Sequence, residues 1–280
     1  MISVNNLSYT YEMASNIKFK AVENINFSLV DGDILGIVGK TGSGKSTLVR
    51  MLNGLLTPTS GEVILNGKNV HKDFKNSSEL FFKVGLVFQY PEHQLFEKTV
   101  YDDIAFGLRN KNMLEQEIKK IIEKTITILG IDKNLLSRSP LELSGGEKRK
   151  CAIAGVIAMN PEVLILDVPT AGLDYQSKKQ LMKCLNDYCK VEKKIVIFIS
   201  HVLEEVIDIS NKLLVMDSGK AIYYGDTKEL FKNSTQLKQI GLFNNQITDI
   251  MSLISEHFPK ISRNILTINQ AKEEILKLLK

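Results

Sequence analysis

From residue 1 to about residue 30 the chain alternates short apolar and polar positions: Ile2, Val4 and Leu7, then Ile25, Phe27 and Leu29. A period of two puts one face of a strand on a core and the other toward water, which predicts antiparallel strands. Residues 34–38 form a continuous apolar run, read as a buried strand that enters a glycine-rich loop, with a helix continuing over 47–55. Residues 61–67, bounded by turn signals, predict a hairpin strand. Residues 163–166 and 195–199 are unbroken apolar runs, as expected of central parallel strands covered on both faces. In such sheets chemistry collects at the C-terminal strand ends, where Asp167 and His201 emerge.

Between about residues 91 and 139 the pattern becomes helical and charged, most clearly over 114–129, so a helical insert is expected between two halves of an α/β core. From about residue 226 onward the chain shifts to short amphipathic helices. Thr267 and Gln270 make a capping box for a last helix whose Ile268, Ala271, Ile275 and Leu278 share one face. The division that follows is a domain over 1–225, with its helical part at about 91–155, and a helical extension over 226–280. There is no internal repeat and no low-complexity run.

Composition narrows the classes. With 280 residues, 44% of them apolar, the chain can bury one large core plus an appendage. No stretch approaches the roughly 18 unbroken apolar residues of a membrane helix, and the polar start MISVNNLSYT is not a signal peptide, so a cytoplasmic protein is expected. The net charge of +4 comes from scattered residues and reads as a solvated surface, with an anionic membrane face left open. No basic stripe interleaves with aromatics, so nucleic acid is not an expected partner. Cys151, Cys184 and Cys189 lack metal-ligand spacing and read as small, buried or half-buried side chains in a reducing compartment. Lysines far outnumber arginines, which draws attention to Arg149, whose fixed guanidinium can brace the segment it follows.

The chemistry-bearing motifs come next. Gly39, Lys40, Thr41, Gly42, Ser43, Gly44, Lys45 and Ser46 fit G-x-x-x-x-G-K-[ST] in full, with Thr47 opening the helix behind them. Glycines let backbone N–H groups turn inward around phosphate oxygens, and the helix N-terminus adds its positive end. Lys45 is expected to reach the β- and γ-phosphates and the Ser46 hydroxyl to ligate Mg²⁺. A chance glycine turn is the bland alternative, and the strand before and helix after argue against it. Leu143, Ser144, Gly145, Gly146 and Glu147 spell LSGGE, a second nucleotide contact that makes sense when two copies face each other. Asp167 ends its strand and is expected at the same Mg²⁺, directly or through water.

Together these residues resemble the ATPase subunit of an ABC transporter, and the resemblance covers the whole chain. It implies an α/β P-loop nucleotide-binding domain: a RecA-like parallel-sheet core, an antiparallel β subdomain, a helical subdomain and here a C-terminal helical extension. Asp167 with residues 169–174 looks like the Walker B strand and D-loop, ending at Asp174. Gln89 matches the Q-loop glutamine, which contacts Mg²⁺ or the attacking water. His201, after Ile199 and Ser200, matches the switch histidine that touches the γ-phosphate. Taken alone, each would be an unremarkable Asp, Gln or His. Tyr11 matches the N-terminal aromatic that stacks on adenine; Tyr9 and plain core packing are the alternatives. The implied cofactors are ATP and Mg²⁺.

A narrower resemblance lies in VFQYPEHQLF (87–96), Thr99, Val100 and DIAFG (103–107), which look like the ATPases of energy-coupling factor transporters. These importers take up vitamins and cobalt or nickel ions. The resemblance implies a second ATPase, a paralogue or another copy, a scaffold membrane subunit and a substrate-binding membrane subunit. It also implies a peripheral position on the cytoplasmic face of the membrane, a coupling surface at 90–107 and a tail that helps hold the dimer. One residue departs from the family: where it has a glutamate to polarise water, this chain has Val168. Three accounts remain open: a natural asymmetry between two sites, a substitution in an otherwise ordinary site, or slow turnover sustained by Gln89 and His201. Val202, where many relatives carry Asp, is a lesser departure. A non-hydrolysing regulatory ATP-binding module and a soluble ABC ATPase acting on nucleic acid are the rival functions.

Overall fold

The computed structural model describes residues 1–12, 18–74, 77–232, 246–258, 261, 265 and 268–278. The N-terminal alternation forms strands as expected: β1 (Ile2–Glu12) pairs antiparallel with β2 (Lys18–Leu29) on one edge and β4 (Ser60–Leu65) on the other. The short β5 (Lys68–Asn69) closes a four-stranded sheet in the order β2-β1-β4-β5.

The second sheet has six strands: β3 (Ile34–Gly39), β6 (Val84–Val87), β7 (Val163–Asp167), β8 (Ile195–Ile199), β9 (Lys212–Asp217) and β10 (Lys220–Asp226). Their order is β10-β9-β3-β8-β7-β6, all neighbours parallel except the edge pair β9–β10. The unbroken apolar runs resolve into two faces. Val163, Ile165, Ile195, Ile197 and Ile199 join the core shared with the antiparallel sheet, while Leu164, Leu166, Val196 and Phe198 join the core under the helices. A strand buried on both sides needs apolar residues at every position, which is why the alternation disappears from the sequence.

Helix α1 (Lys45–Leu52) follows β3 directly. It starts two residues before the expected position because Gly44, at φ 96°, turns the chain into the first helical turn. It stops early because Gly54 takes φ 81°. Helix α2 (Ser77–Lys83) leads into β6. The insert between β6 and β7 holds a 3₁₀ turn at Pro91–Gln94, then α3 (Val100–Asn110), α4 (Glu115–Leu129) and α5 (Gly145–Ala158), so helical structure runs past residue 155. Helices α6 (Tyr175–Glu192) and α7 (Leu203–Ile209) connect β7, β8 and β9, and α8 (Thr227–Lys232) follows β10.

In the tail, α9 (Gln246–His257) packs on α10 (Ile268–Leu278) through Met251, Ile254, Ala271 and Ile275, with Ile261 and Ile265 beside them. Ile268, seven positions before Ile275 and so on the same stripe of the helix, is nevertheless exposed. Thr267 and the side chain of Leu278 lie outside the described residues. No helix among the described residues is long and apolar enough to cross a membrane.

Candidate nucleotide-binding site

The loop between β3 and α1 is shaped by glycines that nothing else can replace. A Cβ on Gly39 would lie 2.1 Å from the Met216 carbonyl oxygen, and one on Gly44 would lie 2.2 Å from that of Ala21. Ser43 N–H donates to the Lys40 carbonyl at 3.1 Å, and Gly219 N–H donates to the Ser43 carbonyl at 3.2 Å, which ties the loop to the β9–β10 turn. The buried Lys45 ammonium donates to the carbonyls of Gly39 (2.8 Å) and Lys40 (2.7 Å). Burial pushes its pKa below the ordinary lysine value, with Asp167 acting against that shift. Lys40, Thr41, Gly42 and Ser46 are exposed along the rim.

Tyr11 reaches the first turn of α1 behind this loop. Its hydroxyl lies 3.3 Å from Thr47 Oγ1, and its ring meets Tyr9 edge-on at 4.8 Å. Tyr9 packs against the core beneath the antiparallel sheet, so of the two tyrosines Tyr11 is the one that reaches the first turn of α1.

Asp167 and His201 come from neighbouring parallel strands, with Asp167 registered against Ile199. Burial raises the Asp167 carboxyl above its ordinary pKa; the hydrogen-bonded Ser46 side chain and the charges of Arg50 and Lys45 pull it back. Among the described residues there is no group of three or more His, Cys, Asp or Glu side chains arranged for a metal ion. One carboxylate beside one hydroxyl instead fits Mg²⁺, which keeps waters and takes further ligands from phosphate. Gln89 and His201 are both exposed. Gln89 directly precedes Tyr90, whose φ of 58° swings the chain into the Pro91–Gln94 turn.

Val168 is buried and adopts φ 50°, a left-handed conformation that is an outlier for a β-branched residue. Its N–H donates to the Ile199 carbonyl at 3.2 Å, and its carbonyl accepts from Ala171 N–H at 3.4 Å. The surrounding loop sets this backbone, not the valine.

Ser144 caps α5. Its hydroxyl accepts from Glu147 N–H at 3.4 Å, while Glu147 Oε2 accepts from the Ser144 N–H at 2.8 Å and hydroxyl at 2.7 Å. Ser144 and Gly145 are exposed, and a Cβ on Gly145 would meet open space. A Cβ on Gly146 would meet only Leu173, at 3.6 Å. The chain itself has no steric need for Gly145. Arg149 is buried behind this cap, donating to Glu92 Oε1 at 2.6 Å and Oε2 at 3.0 Å and to the Ala171 carbonyl. One guanidinium thus joins α5, the Pro91–Gln94 turn and the loop after β7. Asp174 caps α6 by accepting from Ser177 N–H at 3.0 Å, and it is exposed.

The roles of two acidic residues escaped the sequence reading. Glu92, the Arg149 partner, lies 57 positions earlier in the chain. Glu205, buried on α7, accepts hydrogen bonds from Thr170 and Ser200. Glu92 lies inside the 87–96 segment singled out above, but its pairing with Arg149 leaves no signal in a single sequence, and Glu205 shows neither a periodic nor a motif signal. The three cysteines are free, two buried and one half-buried, with Cys151 pushed up by burial to about 12.

Residues 22–171, more than half of the chain, match the ABC transporter family. The energy-coupling factor transporter ATP-binding protein of Acetivibrio thermocellus is 44% identical over 279 residues, covering 100% of this chain and 99% of the relative. That of Clostridium tetani is 44% identical over 278 residues, covering 99% and 96%. Among solved structures, cbiO1 of Clostridium perfringens, part of the ABC transporter complex cbiONQ, superposes with a TM-score of 0.77 at 34% identity, covering 91% of this chain and 98% of that one. The ATP-binding cassette MJ0796, a dimer in a post-hydrolysis state with ADP and Pi, superposes with a TM-score of 0.72 at 25% identity, covering 81% and 99%. None of these relatives favours the regulatory or nucleic-acid readings. With the glycine loop, the LSGGE cap and the strand-end carboxylate in one α/β frame, the chain belongs to the ABC transporter family, among the ATP-binding subunits of energy-coupling factor transporters, a class that couples ATP hydrolysis to transport.

Proposed function

We propose that this chain binds Mg²⁺-ATP at residues 39–47 and works as one half of a head-to-tail ATPase pair that energises uptake of a vitamin or a transition-metal ion such as cobalt or nickel. The carrying observation is the buried Lys45 ammonium held at the loop carbonyls beside the Ser46–Asp167 pair. Lys45 reaches the β- and γ-phosphates, the loop N–H groups cradle them, and Tyr11 stacks on adenine. Ser46 and Asp167 would hold Mg²⁺, with Gln89 as a further contact, and the ion would supply positive charge to the phosphates. His201 contacts the γ-phosphate. Ser144 and Gly146, with Gly145, Glu147 and Asp174 near them, complete the partner's site. An exposed Gly145 with open space over its Cα supports close approach by a phosphate from another chain.

At Val168 an isopropyl group neither accepts a proton nor orients water. The missing general base is worth roughly 10²- to 10⁴-fold in rate. This chain's own loop therefore mainly holds ATP, and the partner's site carries faster hydrolysis. A groove of about 420 Å³ lined by Phe82, Leu95, Phe96, Phe106, Gly107 and Met159 supports residues 90–107 as the coupling surface. Phe96 is 65% exposed and meets Phe106 edge-on at 5.0 Å, an apolar face suited to a helix of the scaffold membrane subunit. The separate substrate-binding membrane subunit completes the importer, and the chain sits peripherally on the cytoplasmic face. The tail, 226–280, adds to the pairing of the two ATPases on the 1–225 domain.

Steady-state hydrolysis by the chain and by Val168→Glu under saturating Mg²⁺-ATP tests the account. A gain of roughly 10²- to 10⁴-fold in the variant is expected. Equal turnover in both would show that water is activated without a carboxylate at position 168.

A further inference from the structure

Beyond the end of the β7–β8 ladder, the loops bearing Val168 and His201 are joined by a side chain. Glu205 is 8% exposed, and its Oε2 accepts from Thr170 Oγ1 at 2.8 Å and from Ser200 Oγ at 2.7 Å. Thr170 lies two residues after Val168. Ser200 directly precedes His201, and its hydroxyl also accepts from Val202 N–H at 2.9 Å, so one oxygen brackets the histidine on both sides. The last backbone link between the two strands is Val168 N–H to the Ile199 carbonyl.

As a stabilising device this carboxylate is poor. Its Oε1 is buried without a hydrogen-bond partner, and the Lys178 ammonium stands 3.9 Å away. Its neighbours Val206 and Ile207 fill the same core with apolar side chains. A buried charge with one unsatisfied oxygen costs more than an apolar replacement of similar volume. What the carboxylate does, and an apolar side chain cannot, is hold two hydroxyls from two loops on one atom.

We infer that Glu205 is a positioning residue that locks the loop after β7 to the loop after β8, fixing His201 at the γ-phosphate at a set spacing from position 168. The inference rests on the nucleotide reading above and adds, beside Lys45, a second element by which the site senses the third phosphate. Groups that contact the α- and β-phosphates lie on another loop, 39–47, and do not depend on this link.

Equilibrium binding of Mg²⁺-ATP and Mg²⁺-ADP to the purified chain separates the roles. The parent is expected to prefer ATP. Glu205→Ala is expected to lose about tenfold in ATP affinity, the scale of one hydrogen bond to a charged group, with ADP affinity within about twofold of the parent. Glu205→Gln keeps an oxygen that accepts both hydroxyls and is expected to retain most of the preference. If Glu205→Ala does not fold, Thr170→Val, which removes one hydroxyl at constant shape, is expected to show the same selective loss. Equal losses for both nucleotides, or no loss, would overturn the inference. So would a parent that binds both nucleotides without preference, leaving the nucleotide reading intact; a parent that binds neither would sink that reading instead.

Discussion

Val168 holds φ 50° although its Cβ is branched, a conformation that costs on the order of 1–3 kcal/mol. The loop 168–174 imposes it through the Ile199 and Ala171 hydrogen bonds, so the backbone stays in place for whichever side chain stands there. That is why a glutamate at this position is expected to restore hydrolysis. Asp167, one residue earlier, shows the stability side of the same site. Burial holds its carboxyl above the ordinary pKa, so the folded state disfavours the ionised form. A raised carboxyl adds stability below its unfolded pKa and loses it as pH rises through the folded value. At pH 7 the ionised Asp167 therefore lowers stability in the nucleotide-free chain. Asp167→Asn is expected to raise Tm by roughly 2–4 °C at neutral pH, with the gain fading as pH falls through the raised folded value and gone below about pH 4. Added Mg²⁺-ATP should reverse the ranking, and thermal melts with and without nucleotide read both effects. Lys45, Ser46 and Asp167 were legible because each closes a local motif; Glu205 was not, since its partners sit on other loops.

Among the elements, α5 does two things at once. Its N-terminus presents Ser144 and Gly145, and one turn later Arg149 reaches back to Glu92 and the Ala171 carbonyl. The guanidinium side chain is 4% exposed and its partner 16%, so removing either leaves a buried charge unpaired. Glu92→Ala is expected to cost about 3–5 kcal/mol in chemical denaturation. Pairing it with Arg149→Met, which removes the orphaned charge, should recover most of that loss. No recovery would mean that Glu92 acts apart from Arg149. The bracing role of Arg149 was readable from its place after LSGGE; what it grips was not, because ion-pair partners far apart in sequence leave no periodic trace. The buried parallel strands were readable for the opposite reason: burial on both faces forces unbroken apolar runs. Strand β10, at the edge of the sheet, lacks so plain a run; β9 carries one at 213–216 as long as that at 163–166 and went unread all the same.

For the molecule as a whole, the open face over Gly145 and the apolar groove beside Phe96 are the two surfaces to which the proposed partners are assigned. Gly145→Ala tests the first. No atom of the chain opposes the added methyl group, and alanine is the better helix former by up to about 1 kcal/mol. The isolated chain should keep or slightly gain stability, while ATP-dependent pairing, followed by light scattering, should be lost. Pairing that survives the substitution would remove Gly145 from the proposed interface. The amphipathic tail packs α9 on α10 and leaves Leu253 63% exposed and Ile268 61% exposed.

Sequence alone determined the pieces whose chemistry is local: the glycine loop with its lysine and serine, the LSGGE segment, the strand-end aspartate and the valine in place of a glutamate. Spacing along the chain is enough there, because the groups act within one turn or one strand end. Only the tertiary structure decided the rest: that β3 lies between β8 and β9, that Val168 is held left-handed, and that Arg149 and Glu205 tie separate loops together. Those facts depend on which distant segments the fold brings to hydrogen-bonding distance, and closing a long loop leaves no pattern in the residues it joins.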